Sequence, residues 1–273
     1  MNKLHELRVA IQLYNIKIIC ITESHLSHDI SDAEIILENF NVFRCDRKNG
    51  KSGGGSCIFV HKSIESEYIQ DFVAPDSVGV SVKIQNQLTK YFCIYRSQNL
   101  TSTERSELLQ SIKSIKCDPT EEIQIYGDFN LPSVNWELGF VNCPINTVNT
   151  FYTIQQDFIS VLSEKGLNPL IKNGTVTRRR VVGDSLQESL LDQVLVSNPH
   201  IVENVVTLSP LGKSDHIPIL LTLKTKNNIS HLQTEKEMWS KFPKEHIAQL
   251  GANIDWGFSS EELCSNQMWE ELS

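Results

Sequence analysis

Ionisable residues stand repeatedly where hydrophobic runs begin or end, and their types suit the hydrolysis of a phosphate ester. Glu23 follows Ile18-Ile19-Cys20-Ile21-Thr22, and Asp128 and Asn130 follow Ile123-Gln124-Ile125-Tyr126. Asp192 opens the run Asp192-Gln193-Val194-Leu195-Val196, and Asp215-His216 opens residues 217–221. Carboxylates bind hard cations such as Mg²⁺, which keeps several of its waters and takes one or two protein carboxylates. Mn²⁺ shares that preference for oxygen. Glu23 is the first choice of ligand. A bound cation stabilises charge on phosphoryl oxygens and on the leaving group. A further carboxylate can take a proton from the attacking water, and a histidine oriented by an aspartate can hold a phosphate oxygen. No HExxH or Walker A string is present to support a zinc-protease or nucleotide-cradle route.

Taken singly, each of these residues has a plain structural reading. A glutamate ending a strand can be a solvated cap, and Gly127-Asp128-Phe129-Asn130 is made of turn-forming residues. Asp215-His216-Ile217-Pro218 can be a loop leading into a strand, with His216 a satisfied hydrogen-bonder. Gly53-Gly54-Gly55 lacks the Lys-Ser/Thr of a phosphate loop and reads as a tight turn before a strand. What favours chemistry is their common position, because ligands collect at strand ends in open α/β sheets.

The elements that must position these groups are legible from periodicity. Residues 2–15 carry apolar positions at helical spacing, and residues 17–22 form a short β-branched run typical of a buried strand. Further strands are predicted over 57–60, 78–84, 90–95, 122–126, 190–196 and 217–223. Thr101-Ser102-Thr103-Glu104 offers N-caps to a helix through Leu108, Leu109, Ile112 and Ile115. A second helix over 148–162 closes on Lys165-Gly166. The mixture predicts a layered α/β sandwich. After residue 226 the pattern changes to acids and tryptophans without strand signal, and residues 227–273 read as a helical appendage.

Composition sets the setting. The 273 residues are 40% hydrophobic and 21% charged, as in ordinary globular domains. No apolar run reaches the roughly 18–20 residues of a membrane span, and the N-terminus has no signal-peptide profile. The seven cysteines form no CxxC pair, as expected of thiols in a reducing compartment. A nuclear or cytoplasmic location without secretion follows. The net charge of −8 runs against nucleic-acid binding, yet residues 231–273 hold eight acids against three lysines and so carry much of it. An acidic metal cluster would account for part of the rest.

Taken in order, Ile21-Thr22-Glu23, Gly53-Gly54-Gly55, Tyr95-Arg96-Ser97, Gly127-Asp128-Phe129-Asn130, Leu191-Asp192-Gln193-Val194 and Ser214-Asp215-His216 resemble the endonuclease/exonuclease/phosphatase family. Ile18-Ile19-Cys20-Ile21-Thr22-Glu23-Ser24, and Thr177-Arg178 ahead of Ser189-Leu190-Leu191-Asp192, resemble more closely the apurinic-type endonuclease domain of non-LTR retrotransposons. The resemblance spans residues 3–224 and implies a DNase I-like, two-sheet, four-layer α/β sandwich with a divalent metal in the cleft. It implies that Glu23 binds the metal with Asp215 beside it, and that Asp128 positions or deprotonates the attacking water. Asn130 and Tyr95 would contact the scissile phosphate, and His216, oriented by Asp192, would bind its oxygen. The implied reaction nicks DNA to leave a 3′-hydroxyl primer for reverse transcription.

Two departures from that pattern stand out. The family opens with a strand ending in a metal-holding asparagine, whereas Met1-Asn2-Lys3-Leu4 already belongs to the first helix, so that strand is expected to be missing from a domain spanning 1–226. The loop after Tyr95 reads Arg96-Ser97-Gln98-Asn99 instead of a proline-rich version. Arg96 and Arg178, the latter opening Arg178-Arg179-Arg180, are the expected DNA contacts. Trp239, Asn253-Ile254-Asp255-Trp256 and Trp269 resemble the connector toward a reverse transcriptase, which with the element's RNA would be a partner in the full-length protein. Two alternatives stay open: a catalytically dead fragment of such a domain, and a same-fold phosphatase acting on a lipid or inositol phosphate.

Overall fold

The computed structural model describes residues 3–224 apart from 48–52, 85, 117, 119 and 145–149. Three α-helices occur among them: α1 (Leu4–Tyr14), α2 (Ser102–Ser114) and α3 (Thr150–Glu164). The strands of the first half are β1 (Ile18–Thr22), β2 (Phe40–Cys45), β3 (Ser56–His61), β4 (Glu65–Tyr68), β5 (Ser77–Ile84), β6 (Gln87–Tyr95) and β7 (Glu122–Asp128). They are followed by β8 (Val134–Asn135), β9 (Phe140–Val141), β10 (Asn168–Pro169), β11 (Arg178–Val182), β12 (Ser185–Ser189), β13 (Asp192–Val196), β14 (Val202–Thr207) and β15 (Ile219–Leu223).

Six strands form one sheet in the order β10-β13-β7-β6-β5-β4, antiparallel except for the parallel pair β6–β7. The crossover joining that pair contains α2, as a parallel connection requires. Thr101 caps α2: its hydroxyl accepts from the Glu104 amide at 3.2 Å, and the Glu104 carboxylate accepts from the Thr101 amide at 2.8 Å. A three-stranded sheet, β1-β3-β2, and the pair β14–β15 stand apart from the six-stranded sheet.

Side-chain alternation explains the layering. On β6, Phe92 and Ile94 join Ile123 and Ile125 of β7 in a core against Leu108 and Ile112 of α2 and Phe158 and Leu162 of α3. The intervening Tyr91 and Cys93 face the other way and meet Ile58 and Val60 of β3. The opposite face of β3, Cys57 and Phe59, packs on Leu7 of α1. Val205, Ile219 and Leu221 of the β14–β15 pair pack on Val194 and Val196 of β13. Tyr126 touches both the cluster under β3 and the cluster under β15. The result is the expected four layers, helix, sheet, sheet, helices.

Among the described residues the first element is α1, and β1 and β15 each have a single strand partner. Their continuous apolar runs are only partly buried, unlike β3 and β13. All these elements fall in the unit Met1–Leu223. Of the second unit, Lys224–Ser273, only Lys224 is described, and the expected helical connector over 227–273 lies outside the described residues. No described helix is long and apolar enough to cross a membrane.

Candidate active site

Strand register assembles the site. Tyr95 at the end of β6 pairs across the sheet with Asp128 at the end of β7, and Asp128 pairs with Asp192 at the start of β13. Paired residues on neighbouring strands project to the same face. Tyr95 has the parity of Tyr91 and Cys93, so this row of three faces the space between the two sheets. Gly127 makes the row possible, because a Cβ at that position would overlap the Ile94 carbonyl oxygen.

The remaining groups come from the other layer. Glu23 leaves β1 in the left-handed backbone region, φ 49°, which is unusual for a glutamate. Gly53, Gly54 and Gly55 all have positive φ, and the carbonyls of the last two pin the chain just beyond Glu23: Ser24 N donates to Gly55 O at 3.2 Å and His25 N to Gly54 O at 3.0 Å. The glycine run is thus the tight turn expected from its sequence. The Tyr95 hydroxyl donates to Glu23 Oε1, joining the two sheets. His216 is held by a backbone bridge to Arg178 and by its Nδ1, 2.8 Å from Asp192 Oδ2. Its Nε2 then lies 3.8 Å from Asp128 Oδ2.

Asp192 is itself fixed from behind. The buried Thr177 hydroxyl accepts from the Leu191 and Asp192 amides at 3.0 Å each. A cavity of ≈ 200 Å³ opens in front of this assembly, lined by Glu23, Tyr95, Asp128, Asn130, Arg178, Asp215 and His216 together with residues 97–99. A larger concavity of ≈ 440 Å³ beside Thr175, Thr207 and Pro210 has neither carboxylate nor imidazole in its lining.

The electrostatics are polarised. Asp128 is 1% exposed, and burial, reinforced by the charge of Asp192, raises its pKa to about 7. Burial works to lower the His216 pKa, but the Asp192 hydrogen bond and the charges of Asp192, Asp128 and Asp215 overcome it and raise it to about 9. At neutral pH the site therefore pairs an imidazolium donor with a carboxyl group poised to accept a proton. Burial, then the hydrogen-bonded Glu23, pushes the Tyr95 hydroxyl up, so it stays a donor.

The oxygen-rich donor set suits a hard cation. Carboxylate oxygens of Asp128 and Asp192 lie within 4.8 Å of one another beside the His216 ring, and the buried Asp128 charge has an unfavourable neighbour in Asp192 that a cation would offset. Glu23 and Asp215, the expected metal ligands, line the same cavity but stand outside that group of three. Asp215 accepts from Arg178 Nε at 2.9 Å; burial would raise its pKa, but this partner lowers it.

Seven of the nine residues singled out from sequence line this cavity, and Asp192 stands behind His216 as its orienting group. Arg96 departs from expectation. It is 8% exposed, its Nη1 donates to the Phe129 and Asn130 carbonyls at 3.2 Å each, and burial lowers its pKa to about 10. Its position in the loop places the guanidinium under the Asp128 turn instead of toward solvent. The Asn130 amide is engaged too, donating to Arg96 O at 3.0 Å and accepting from Gln98 at 2.9 Å. Residues 97–99 and Thr177, marked in the sequence only as members of motifs, join the site without having been given a role there. That a buried threonine anchors two amides is visible only in the fold.

Structural comparison identifies the fold. The endonuclease domain of TRAS1, a telomere-specific non-LTR retrotransposon, superposes with a TM-score of 0.63 at 15% identity, over 82% of this chain and 94% of that one. The fold is that of the endonuclease/exonuclease/phosphatase family. Residues 89–220 match the family model described as endonuclease-reverse transcriptase, a span that contains Tyr95, Asp128, Asp192 and His216. The AP endonuclease LMAP from Leishmania major gives a TM-score of 0.62 at 10% identity, over 80% of this chain and 81% of that one. D. rerio TDP2, solved with a single-strand DNA product, gives 0.51 at 15% identity, over 82% and 92%. No curated protein matches the chain.

Proposed function

We propose that this domain hydrolyses phosphodiester bonds in DNA with the help of Mg²⁺ or Mn²⁺, nicking one strand to leave a 3′-hydroxyl. The observation that carries this reading is the row Tyr95–Asp128–Asp192, with His216 turned by Asp192 toward Asp128 and Glu23 facing it from the other sheet. Asp128 positions and deprotonates the attacking water. His216, protonated and held by Asp192, donates to the phosphate oxygen. Tyr95 and Asn130 contact the same phosphate at the cavity wall, and Arg178 meets it from the hairpin side. Glu23, and Asp215 on exchange of its Arg178 partner, would hold the cation, which when bound supplies charge stabilisation to the phosphoryl oxygens and leaving group.

The family model's description and the TRAS1 likeness support a retrotransposon setting. In that setting the nick primes a reverse transcriptase domain copying the element's RNA, and residues 227–273 form the connector toward it. The test is the chemistry of the new end. DNA nicked by this chain should be extended directly by a polymerase, without prior phosphatase treatment. Nicks that need a phosphatase before extension would overturn the 3′-hydroxyl assignment.

A further inference from the structure

Beside the row of site residues lies an ion pair that the proposed reaction does not use. Arg47 follows β2, and its Nε donates to Asp76 Oδ2 at 2.8 Å, with Nη2 on the same oxygen. Both side chains are largely withdrawn from water, 17% exposed for Arg47 and 6% for Asp76. The guanidinium carbon sits 5.6 Å from the centroid of the Tyr95 ring. On another side it meets Gly54, where a Cβ would overlap the guanidinium itself. Arg47 is therefore enclosed by a carboxylate, an aromatic ring and a glycine backbone.

Such a pair is costly to desolvate and is weak evidence of stabilisation by itself. Its neighbours give it a use. The ring that the guanidinium covers carries the hydroxyl that donates to Glu23. A planar cation can lie against a ring while its fork is fixed by a carboxylate, a combination that a lysine cannot reproduce. Glu23 follows β1, in the other sheet from Tyr95, so a small swing of the Tyr95 side chain about χ1, which carries the hydroxyl with it, would break that link.

We infer that Arg47, anchored by Asp76, is a positioning residue that holds the Tyr95 ring so that its hydroxyl reaches Glu23. This rests on the phosphodiesterase reading of the cavity for its consequence, but the clamp itself is a geometric statement. It also gives Gly54 a role, since only a residue without a Cβ leaves room for the guanidinium.

The experiment uses the full chain with ¹³C-labelled tyrosine, the Tyr95 signal being assigned by its loss in Tyr95→Phe. Arg47→Ala should displace that signal, added guanidinium should return it, and Arg47→Lys should not restore it. Asp76→Asn, which keeps the side-chain shape, should displace the same signal if Arg47→Ala fails to fold. On DNA, Arg47→Ala should lower kcat roughly ten- to a hundredfold, the scale of a misplaced catalytic group, with little change in KM. In a Tyr95→Phe background the same substitution should cost less than about twofold, because interacting sites are not additive. A Tyr95 signal unmoved by Arg47→Ala and Asp76→Asn would overturn the clamp, as would losses that multiply in the double variant. Should the chain cut no DNA while the Tyr95 signal responds, the clamp stands and the phosphodiesterase reading falls.

Discussion

At the scale of single residues, Asp128 and His216 make a pH prediction of definite sign. Burial and Asp192 raise Asp128 from the ordinary 3.8 to about 7, so the folded chain binds the extra proton and the contribution to stability falls as pH rises through that interval. His216 is raised from 6.5 to about 9. Its contribution is fully present below 6.5 and is lost as pH rises toward 9. Both run the same way. In chelating buffer the urea midpoint should decline across about pH 4 to 9, and Asp128→Asn should flatten the lower half of that decline. An Asp128→Asn profile parallel to the wild type would show that the buried carboxyl is not the titrating group. These residues are legible in the sequence because several polar side chains share the same place at the ends of apolar runs, although each alone has a plain structural reading. Arg96 is not, because a loop residue's direction depends on the carbonyls it finds, here those of Phe129 and Asn130. Arg47 and Asp76 lie 29 positions apart and end no apolar run, so their pairing leaves no local signal.

Among the elements, the β11–β12 hairpin is the one that the proposed DNA substrate is expected to meet. It begins at Arg178, on the cavity wall, and runs out through Arg179 and Arg180 with Val181, Val182 and Leu186 exposed. Arg178 is partly occupied by Asp215 and Arg179 by Glu188 at 2.8 Å. We expect Arg179→Ala with Arg180→Ala to weaken DNA binding and to reduce the salt slope by roughly 0.9 for each phosphate no longer neutralised. Equal affinity across salt for the double variant and the wild type would remove the hairpin from the interface. Helices and apolar strands are readable from their periods. β2 and β14 are not, because their burial alternates poorly, and β11, β12 and β14 are mostly exposed on both faces. Only the arginine run and the preceding Asn-Gly mark the hairpin in sequence.

For the whole molecule, the site is a product of layering: two sheets contribute groups that meet only when both cores are packed. Phe129 shows the coupling. It lies between Asp128 and Asn130 but points into the opposite core, fully buried against Trp136 and Phe158. Phe129→Ala should cost about 3–5 kcal/mol in denaturant unfolding and should lower activity even where the chain remains folded. A loss below about 1 kcal/mol would mean that the turn is held without this anchor. The sandwich is legible from the order of its runs, whereas the charge of −8 is no guide to substrate. Acids gathered at one cavity are what a cation-assisted hydrolase requires.

We propose that Asp128 and His216, set by Tyr95, Asp192 and Glu23, act on DNA phosphodiesters. Conversion of supercoiled plasmid to open circle with Mg²⁺ tests it most directly, run beside Asp128→Ala and His216→Ala and with chelator as a control. We expect nicking by the wild type, none with chelator, and a rate loss of about 10²–10⁴ in each variant, the usual worth of a general acid or base. Nicking that survives both substitutions, or a folded, metal-supplied wild type that leaves the plasmid supercoiled, would contradict it.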